Sequence, residues 1–297
     1  VEALVLERVT VKYGKETALV DVTARFEPGR IYGVVGPDGA GKSTLLKVLA
    51  GLIRPSGGSV TRGAAGAIGF VPEHFGLYEE MSVDENLLFA ASLYGLTRPE
   101  ADKRGEELLR RVGLDRFKER LAGRLSGGMK RKLAMMAASV HKPRHLILDE
   151  PTNGVDPVSR REIWELIGEM KREGAAVIVS TQYLDEATRC DEVLLLHRGR
   201  VLVHEKPDVL LKQFPYRVVR LPEMRREPLA LLEDIRRWPG VVDAYPRGAH
   251  WVVLVSGAEA EERLKAWWQE KKREGEPERI SPDFEDVFIH WMGGGEG

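Results

Sequence analysis

One short stretch narrows the possible folds more than any other: Gly36-Pro37-Asp38-Gly39-Ala40-Gly41-Lys42-Ser43-Thr44. It fits the spacing G-x-x-x-x-G-K-[ST]. Its flanks fit the same reading. Ile31-Tyr32-Gly33-Val34-Val35 is a mostly apolar run that reads as a buried strand. Residues 44–49 read as a helix, with Leu45, Leu46, Val48 and Leu49 turned toward a sheet. Strand, glycine loop, helix is the setting in which such a loop holds phosphate. Glycines let the backbone curl until its N–H groups converge on phosphate oxygens, and the helix N-terminus adds the positive end of its dipole. Lys42 supplies a point charge for β- and γ-phosphates, and Ser43 a hydroxyl for Mg²⁺.

A chain of 297 residues accommodates one large domain or two. Its 45 Lys+Arg and 46 Asp+Glu nearly cancel, leaving a formal net charge of -1. That balance argues against bulk electrostatic attraction to nucleic acid or anionic lipid. No apolar run approaches the ~20 residues that span a bilayer, and no secretory leader is evident. The expectation is a cytoplasmic protein. Cys190 is the only cysteine, so neither an intrachain disulfide nor a multi-cysteine zinc site is possible, and it is expected to be a small buried hydrophobe.

Read in order, residues 1–11 alternate apolar and charged, as in a half-exposed antiparallel strand. Tyr13-Gly14 stands at a turn, where Tyr13 either stacks on a base or closes the strand. Residues 19–26 form a second strand, 51–58 a long turn, and 68–73 a buried strand stopped by Pro72. Helical spacing over 83–95 and 99–112 predicts an all-helical insert, with Ser82 and Glu85 as a capping box. Leu125-Ser126-Gly127-Gly128 then opens a helix running to Val140. His141 and His145 are four apart, but Pro143 between them breaks the helix, so a metal pair is not expected.

His145-Leu146-Ile147-Leu148-Asp149-Glu150-Pro151 is an apolar strand ending in two carboxylates. Ligands of open parallel sheets sit at such strand tips. Asp149 is placed to hold Mg²⁺ through water, and Glu150 to polarise an attacking water. Asp156 and Pro157 start a helix. Residues 175–180 form another buried strand leading to Gln182, and 193–203 a hairpin. Beyond about residue 213 the pattern predicts a small α+β domain over 214–297. Trp238, Trp251, Trp267, Trp268 and Trp291 fall in it, most of them expected in its core. The final Gly293-Gly294-Gly295-Glu296-Gly297 reads as the start of a flexible linker.

With these stretches in hand, the chain resembles the nucleotide-binding subunit of ABC transporters, and most closely the ABC-2 type exporter branch. Tyr13 matches the family's adenine-stacking aromatic, residues 36–44 the Walker A loop, and residues 125–128 the first four positions of the signature. Residues 146–150 match Walker B with its catalytic glutamate, and 151–156 the D-loop. The resemblance covers residues 1–213. It implies an α/β P-loop NTPase core with an antiparallel β subdomain and a helical subdomain over about 74–140. It also implies ATP and Mg²⁺ as ligands. Two such domains meet head to tail, ATP lying between the Walker motifs of one and Ser126, Gly127 and Gly128 of the other. That cycle drives a separate transmembrane permease, so the chain is expected to lie peripherally on the cytoplasmic face of the membrane. The neighbourhood of residues 68–86 would carry motion toward the permease.

Three positions depart from the family pattern. Glu73 replaces the Q-loop glutamine, keeping an oxygen ligand for Mg²⁺ but adding negative charge beside the γ-phosphate. Gln182 replaces the switch histidine. It can donate a hydrogen bond but cannot carry a charge or relay a proton. Met129 replaces the signature glutamine. ATP binding is expected to survive these changes, with Lys42, Glu150 and Gln182 as the catalytic set and Ser43, Glu73 and Asp149 around the metal. Two readings follow. Either the chain is a transporter motor, or it is an ATP-binding half whose signature completes a partner's site, as the first half of a tandem protein would. A soluble ABC ATPase of translation or DNA repair is disfavoured by the compact 73–125 insert and the balanced charge.

Overall fold

The computed structural model describes residues 3–63, 67–74, 76–222, 229–271 and 275–293. The chain divides into two compact units, Val1–Pro207 and Asp208–Gly297.

The first unit begins with β1 (Leu4–Tyr13) and β2 (Glu16–Phe26), an antiparallel pair. Leu4, Leu6, Val9 and Val11 bury one face of β1 while charged residues stay outside, which is the alternation the sequence shows. β3 (Ile31–Val35) is buried throughout, and the glycine loop carries it into α1 (Lys42–Leu49). β4 (Gly57–Thr61) then joins β1, giving a three-stranded sheet in the order β2-β1-β4. The sequence reading made residues 51–58 one long turn, whereas Gly57 and Gly58 already belong to this strand. The reason is close backbone approach. Gly58 has φ +80, and a Cβ there would lie 2.3 Å from the Arg8 carbonyl oxygen. Only glycine lets the chain lie against β1 at that point.

β5 (Ile68–Val71) is followed by the helical insert, α2 (Val83–Leu93), α3 (Arg98–Arg111) and α4 (Gly127–Ser139). The expected capping box is present. Glu85 N–H donates to Ser82 Oγ at 3.1 Å, and Ser82 N–H donates to the Glu85 carboxylate at 2.7 Å. Next come β6 (His145–Leu148), α5 (Pro157–Arg172), β7 (Ala176–Thr181), α6 (Leu184–Ala187), β8 (Glu192–His197) and β9 (Arg200–Glu205). A six-stranded sheet runs β5-β6-β7-β3-β8-β9, parallel except for β9. Its central strands β6, β7 and β3 are nearly continuous apolar runs because both faces are covered. The carboxyl ends of β3, β5, β6 and β7 therefore share one edge, and the chemistry-bearing residues follow directly after them.

The chain passes into the second unit at α7 (Pro207–Lys212). β10 (Arg217–Leu221), α8 (Leu229–Arg236), β11 (Val241–Arg247), β12 (His250–Val255), α9 (Ala258–Glu270) and β13 (Glu278–Ile280) follow, then α10 (Phe284–Gly293). The β-α-β-β-α-β order with sheet order β11-β12-β10-β13, antiparallel throughout, is a ferredoxin-like arrangement. Strand alternation splits its core. Val219, Leu221, Val253 and Val255 pack with Leu232, Ile235, Leu264 and Trp268 on one face. Val218, Tyr245, Val252 and Leu254 pack with Ile289 of α10 on the other. Trp251 and Trp268 are buried, Trp238 and Trp267 pack partly against the core, and Trp291 is 36% exposed. β13 and α7 went unread in the sequence, each being short and without strong periodicity. Residues 294–297, most of the expected linker, lie outside the described residues.

A polar lock holds α10 to this sheet. The fully buried Asp286 accepts from the Tyr245 hydroxyl, from Arg247 Nη2 at 2.6 Å and from Asp283 N–H at 2.7 Å. Burial and the adjoining carboxylate push the Tyr245 phenol up. Asp286→Ala removes the buried acceptor of the Tyr245 hydroxyl and the Asp283 N–H, while Arg247 keeps Asp283 at 2.8 Å and Glu285 at 3.0 Å. It should destabilise the protein by about 1–3 kcal/mol, read as a lowered unfolding midpoint in denaturant titration.

Candidate functional site

The glycine loop is shaped by what surrounds it. A Cβ on Gly36 would lie 2.2 Å from the Leu196 carbonyl oxygen, and Gly41 has φ +104 with the Ala18 carbonyl oxygen 2.6 Å from its Cβ position. Ala40 C=O accepts from Gly199 N–H at 2.9 Å, tying the loop to the β8–β9 turn. So constrained, the loop presents Lys42 inward. Its Nζ donates to Gly36 O at 2.9 Å and Pro37 O at 3.3 Å, and lies 3.3 Å from Glu150 Oε1. Both side chains of this ion pair are nearly buried, at 6% and 7% exposure. Asp38, 3.9 Å from the same ammonium but 90% exposed, is screened by solvent and contributes little.

The two carboxylates that end β6 have different surroundings. Asp149 Oδ1 accepts from Ser43 Oγ at 3.2 Å and from Ser180 Oγ at 2.7 Å. A hydroxyl and a carboxylate side by side suit a hard, oxygen-seeking cation such as Mg²⁺. Glu150 turns the chain sharply, with φ +46, a conformation that non-glycine residues keep only where neighbours hold them. Here Glu150 N–H donates to Ser180 Oγ at 2.8 Å, and Gln182 N–H donates to Glu150 Oε2 at 3.4 Å. Burial raises the Glu150 carboxyl above its ordinary value, with Lys42 opposing. A carboxylate poised in this way is suited to accept a proton from water.

Tyr13, residues 37–44, Glu73, Glu150, Asn153 and Gln182 line one cleft of about 480 Å³. Gly36 lies buried beneath it, and Asp149 stands behind Ser43. Tyr13, at the end of β1, is 51% exposed, so its ring face is free to stack on a planar group. Ser126, Gly127 and Gly128 do not line this cleft. Ser126 caps α4 by accepting from Met129 N–H at 3.3 Å, and both Ser126 and Gly127 are exposed. Gly128 packs so closely on α5 that a Cβ would lie 2.1 Å from Ser159 Oγ. His141 stacks on Tyr94 at 3.4 Å while His145 is fully buried in β6. Among the described residues, no group of three or more His, Cys, Asp or Glu could hold a metal by itself.

Several participants were not legible beforehand. Ser180 Oγ joins the Asp149 carboxylate to the Glu150 backbone N–H, and Asn153 Nδ2 lies 3.5 Å from Glu73 Oε1. Arg131 donates to Pro72 O at 2.8 Å and Glu73 O at 2.6 Å. Its charge is felt by Glu73, Asp149 and Glu150, although burial lowers its pKa. A nearby cation offsets the carboxylate that Glu73 adds to the cleft. The sequence carries no local signal for any of these, since each contact joins segments at least 30 residues apart.

Comparison with known proteins agrees with this geometry. Residues 19–153 match the family model described as ABC transporter. Over 291 residues the chain is 36% identical to the probable multidrug ABC transporter ATP-binding protein YbhF of Escherichia coli. That alignment takes in 93% of this chain but 49% of YbhF, so the chain spans about half the length of this relative. The Nod factor export ATP-binding protein I of Burkholderia thailandensis is 33% identical over 217 residues, 69% of this chain and 71% of that protein. Among solved structures, the ATP-binding cassette MJ0796, a dimer in a post-hydrolysis state bound to ADP and Pi, superposes with a TM-score of 0.62 at 27% identity. It covers 68% of this chain and 98% of its own. Loop, strand-end carboxylates and relatives lead to one conclusion: the chain belongs to the ATP-binding proteins of the ABC transporter family.

Proposed function

We propose that this chain binds and hydrolyses ATP and, paired head to tail with a second such domain, powers a membrane permease that exports its cargo. One observation carries the reading: the buried Lys42–Glu150 pair stands over the Ser43–Asp149 pair in a single cleft rimmed by Tyr13. The adenine stacks on Tyr13. Loop N–H groups and Lys42 take the phosphates, and the ammonium gives up its contacts to the loop carbonyls as it does so. Ser43 and Asp149, with Glu73 of the cleft lining, would hold Mg²⁺, which would supply charge neutralisation to the phosphates. Glu150 orients the attacking water and takes its proton. The Gln182 N–H keeps that carboxylate in place.

Ser126, Gly127 and Gly128 serve the partner's nucleotide, which is why they face away from this cleft. The MJ0796 dimer supports the pairing, and the relative named for Nod factor export supports the direction. On the insert, Tyr78 and Phe89 form an exposed edge-to-face pair at 5.1 Å. The buried Asn86 fixes the loop beside them, accepting from Tyr78 N–H and donating to Tyr78 O, each at 2.9 Å. This is the surface assigned to the permease. No helix among the described residues is long and apolar enough to cross a membrane.

A second reading draws on Glu73 and Gln182, which leave the cleft without a histidine. In it the chain is an ATP-binding half with a slow site, whose signature serves a faster partner. Turnover separates the two. A motor hydrolyses ATP at comparable rates alone and in a mixed complex. A slow half gains turnover only with its partner, and in that mixed complex Ser126→Arg abolishes the gain.

The pH dependence follows from Glu150. Its carboxyl is raised, so the base form is lost as pH falls through a value above the ordinary 4.5. The acid limb of kcat/KM, which reports the free enzyme, should therefore have its midpoint above 4.5, and a pH–rate profile checks it. A limb at or below that value means that Glu150 is not the base.

A further inference from the structure

We propose that Arg160, in the first turn of α5, is a positioning residue for ATP turnover: it clamps the turn that follows β7 and so sets where the Glu150 carboxylate lies. The inference rests on the hydrolytic reading of the cleft. It starts from Glu186, a carboxylate with no exposed surface. Arg160 Nε donates to Glu186 Oε1 at 2.6 Å, and Thr181 Oγ1 donates to Glu186 Oε2 at 2.7 Å. The Thr181 hydroxyl in turn accepts from Tyr183 N–H at 3.0 Å. Arg160 also reaches the far side of the turn. Its guanidinium lies 4.6 Å from the Tyr183 ring centroid, and Nη2 donates to both oxygens of Asp185 at 3.0 Å.

Residues 181 and 183 are therefore both fixed through one guanidinium, and Gln182 lies between them. The direction of the Gln182 N–H, which donates to Glu150 Oε2, follows from its fixed neighbours. That bond is long, at 3.4 Å, so a small rotation of the turn breaks it. The Asp185 contact is exposed and contributes little, whereas the Glu186 contact joins the guanidinium Nε to a desolvated carboxylate. Lysine cannot reproduce it, because an ammonium lacks the fork and the flat face that covers Tyr183. Arg160 does not line the cleft and acts only through the turn.

The test uses the full chain and four variants: Arg160→Met, Arg160→Lys, Glu186→Gln and Arg160→Met/Glu186→Gln. Arg160→Met should lower kcat by about 10-fold to 100-fold, the scale of a small misplacement of a reacting group, with KM for MgATP little changed. Amide hydrogen exchange over residues 181–187 should quicken while residues 36–44 keep their protection. Arg160→Lys should recover part of kcat. Adding Glu186→Gln to Arg160→Met removes the unpaired buried charge and should restore the unfolding midpoint, but kcat should stay low. If kcat recovers in step with the midpoint, or Arg160→Met leaves kcat unchanged, the positioning role is wrong. If the parental chain shows no turnover, the hydrolytic reading has failed instead. Exchange over 181–187 then decides the clamp alone, and unchanged exchange in Arg160→Met overturns it.

Discussion

Replacing Glu150 with glutamine is expected to lower ATP turnover by about 10²–10⁴-fold while leaving MgATP affinity nearly intact. The amide keeps the shape of the side chain and its acceptor for the Gln182 N–H. It loses the basicity that burial has raised. It also loses the negative partner of Lys42, 3.3 Å away. Removing that charge frees the ammonium for phosphate, so affinity should hold or rise. Phosphate release and calorimetry on one preparation separate the two effects. A variant that turns over at the parental rate places the base elsewhere.

Lys42→Ala should act on binding. The ammonium is almost buried, and the loop holds it close to where phosphate charge must enter. Truncating one member of a desolvated, hydrogen-bonded charge pair costs about 2–5 kcal/mol. That is roughly 30-fold to a few thousand-fold in Kd. The substitution also leaves Glu150 buried without its cation, so part of the loss will show as lower stability, and the unfolding midpoint should be measured beside the calorimetry. Unchanged affinity for MgATP in a folded Lys42→Ala protein means that the lysine does not meet the phosphates.

The readable parts of this molecule are those that local chemistry dictates. The loop declares itself because its glycines answer to backbone contacts at Gly36 and Gly41 that no side chain survives. β6 declares itself because a run of apolar residues ends in two carboxylates. Helix starts at Ser82 and Asp156 are written in cap residues whose hydrogen bonds span three residues or fewer. The family resemblance added order to these signals, and with it the position of the signature. What stayed hidden depends on partners distant in the chain. β4 is the short run Gly-Gly-Ser-Val-Thr with no periodic pattern, and it becomes a strand only against β1, where Thr61 pairs with Val5. Ser180 reads as one more residue of a buried strand until β6 places Asp149 and Glu150 beside it. Arg160 reads as a charge on a helix and Glu186 as one beyond the end of a buried strand, and nothing along the chain shows that one is buried against the other.

The departures at Glu73 and Gln182 are legible as letters, but their consequence depends on three dimensions. Arg131 returns positive charge to the neighbourhood of Glu73, and Gln182 contributes its backbone N–H to Glu150 whatever its side chain is. Neither change removes the base, the lysine or the hydroxyl–carboxylate pair. Hydrolysis by the isolated chain is therefore the expectation, and Gln182→His should raise its rate.

Single-turnover phosphate release tests the central claim most directly, with the parental chain in excess over MgATP so that each nucleotide is processed once. The account predicts that bound ATP is converted to ADP and phosphate, and that Glu150→Gln slows this conversion by about 10²–10⁴-fold. Nucleotide that stays bound and intact, with no release above the Glu150→Gln background, would contradict it.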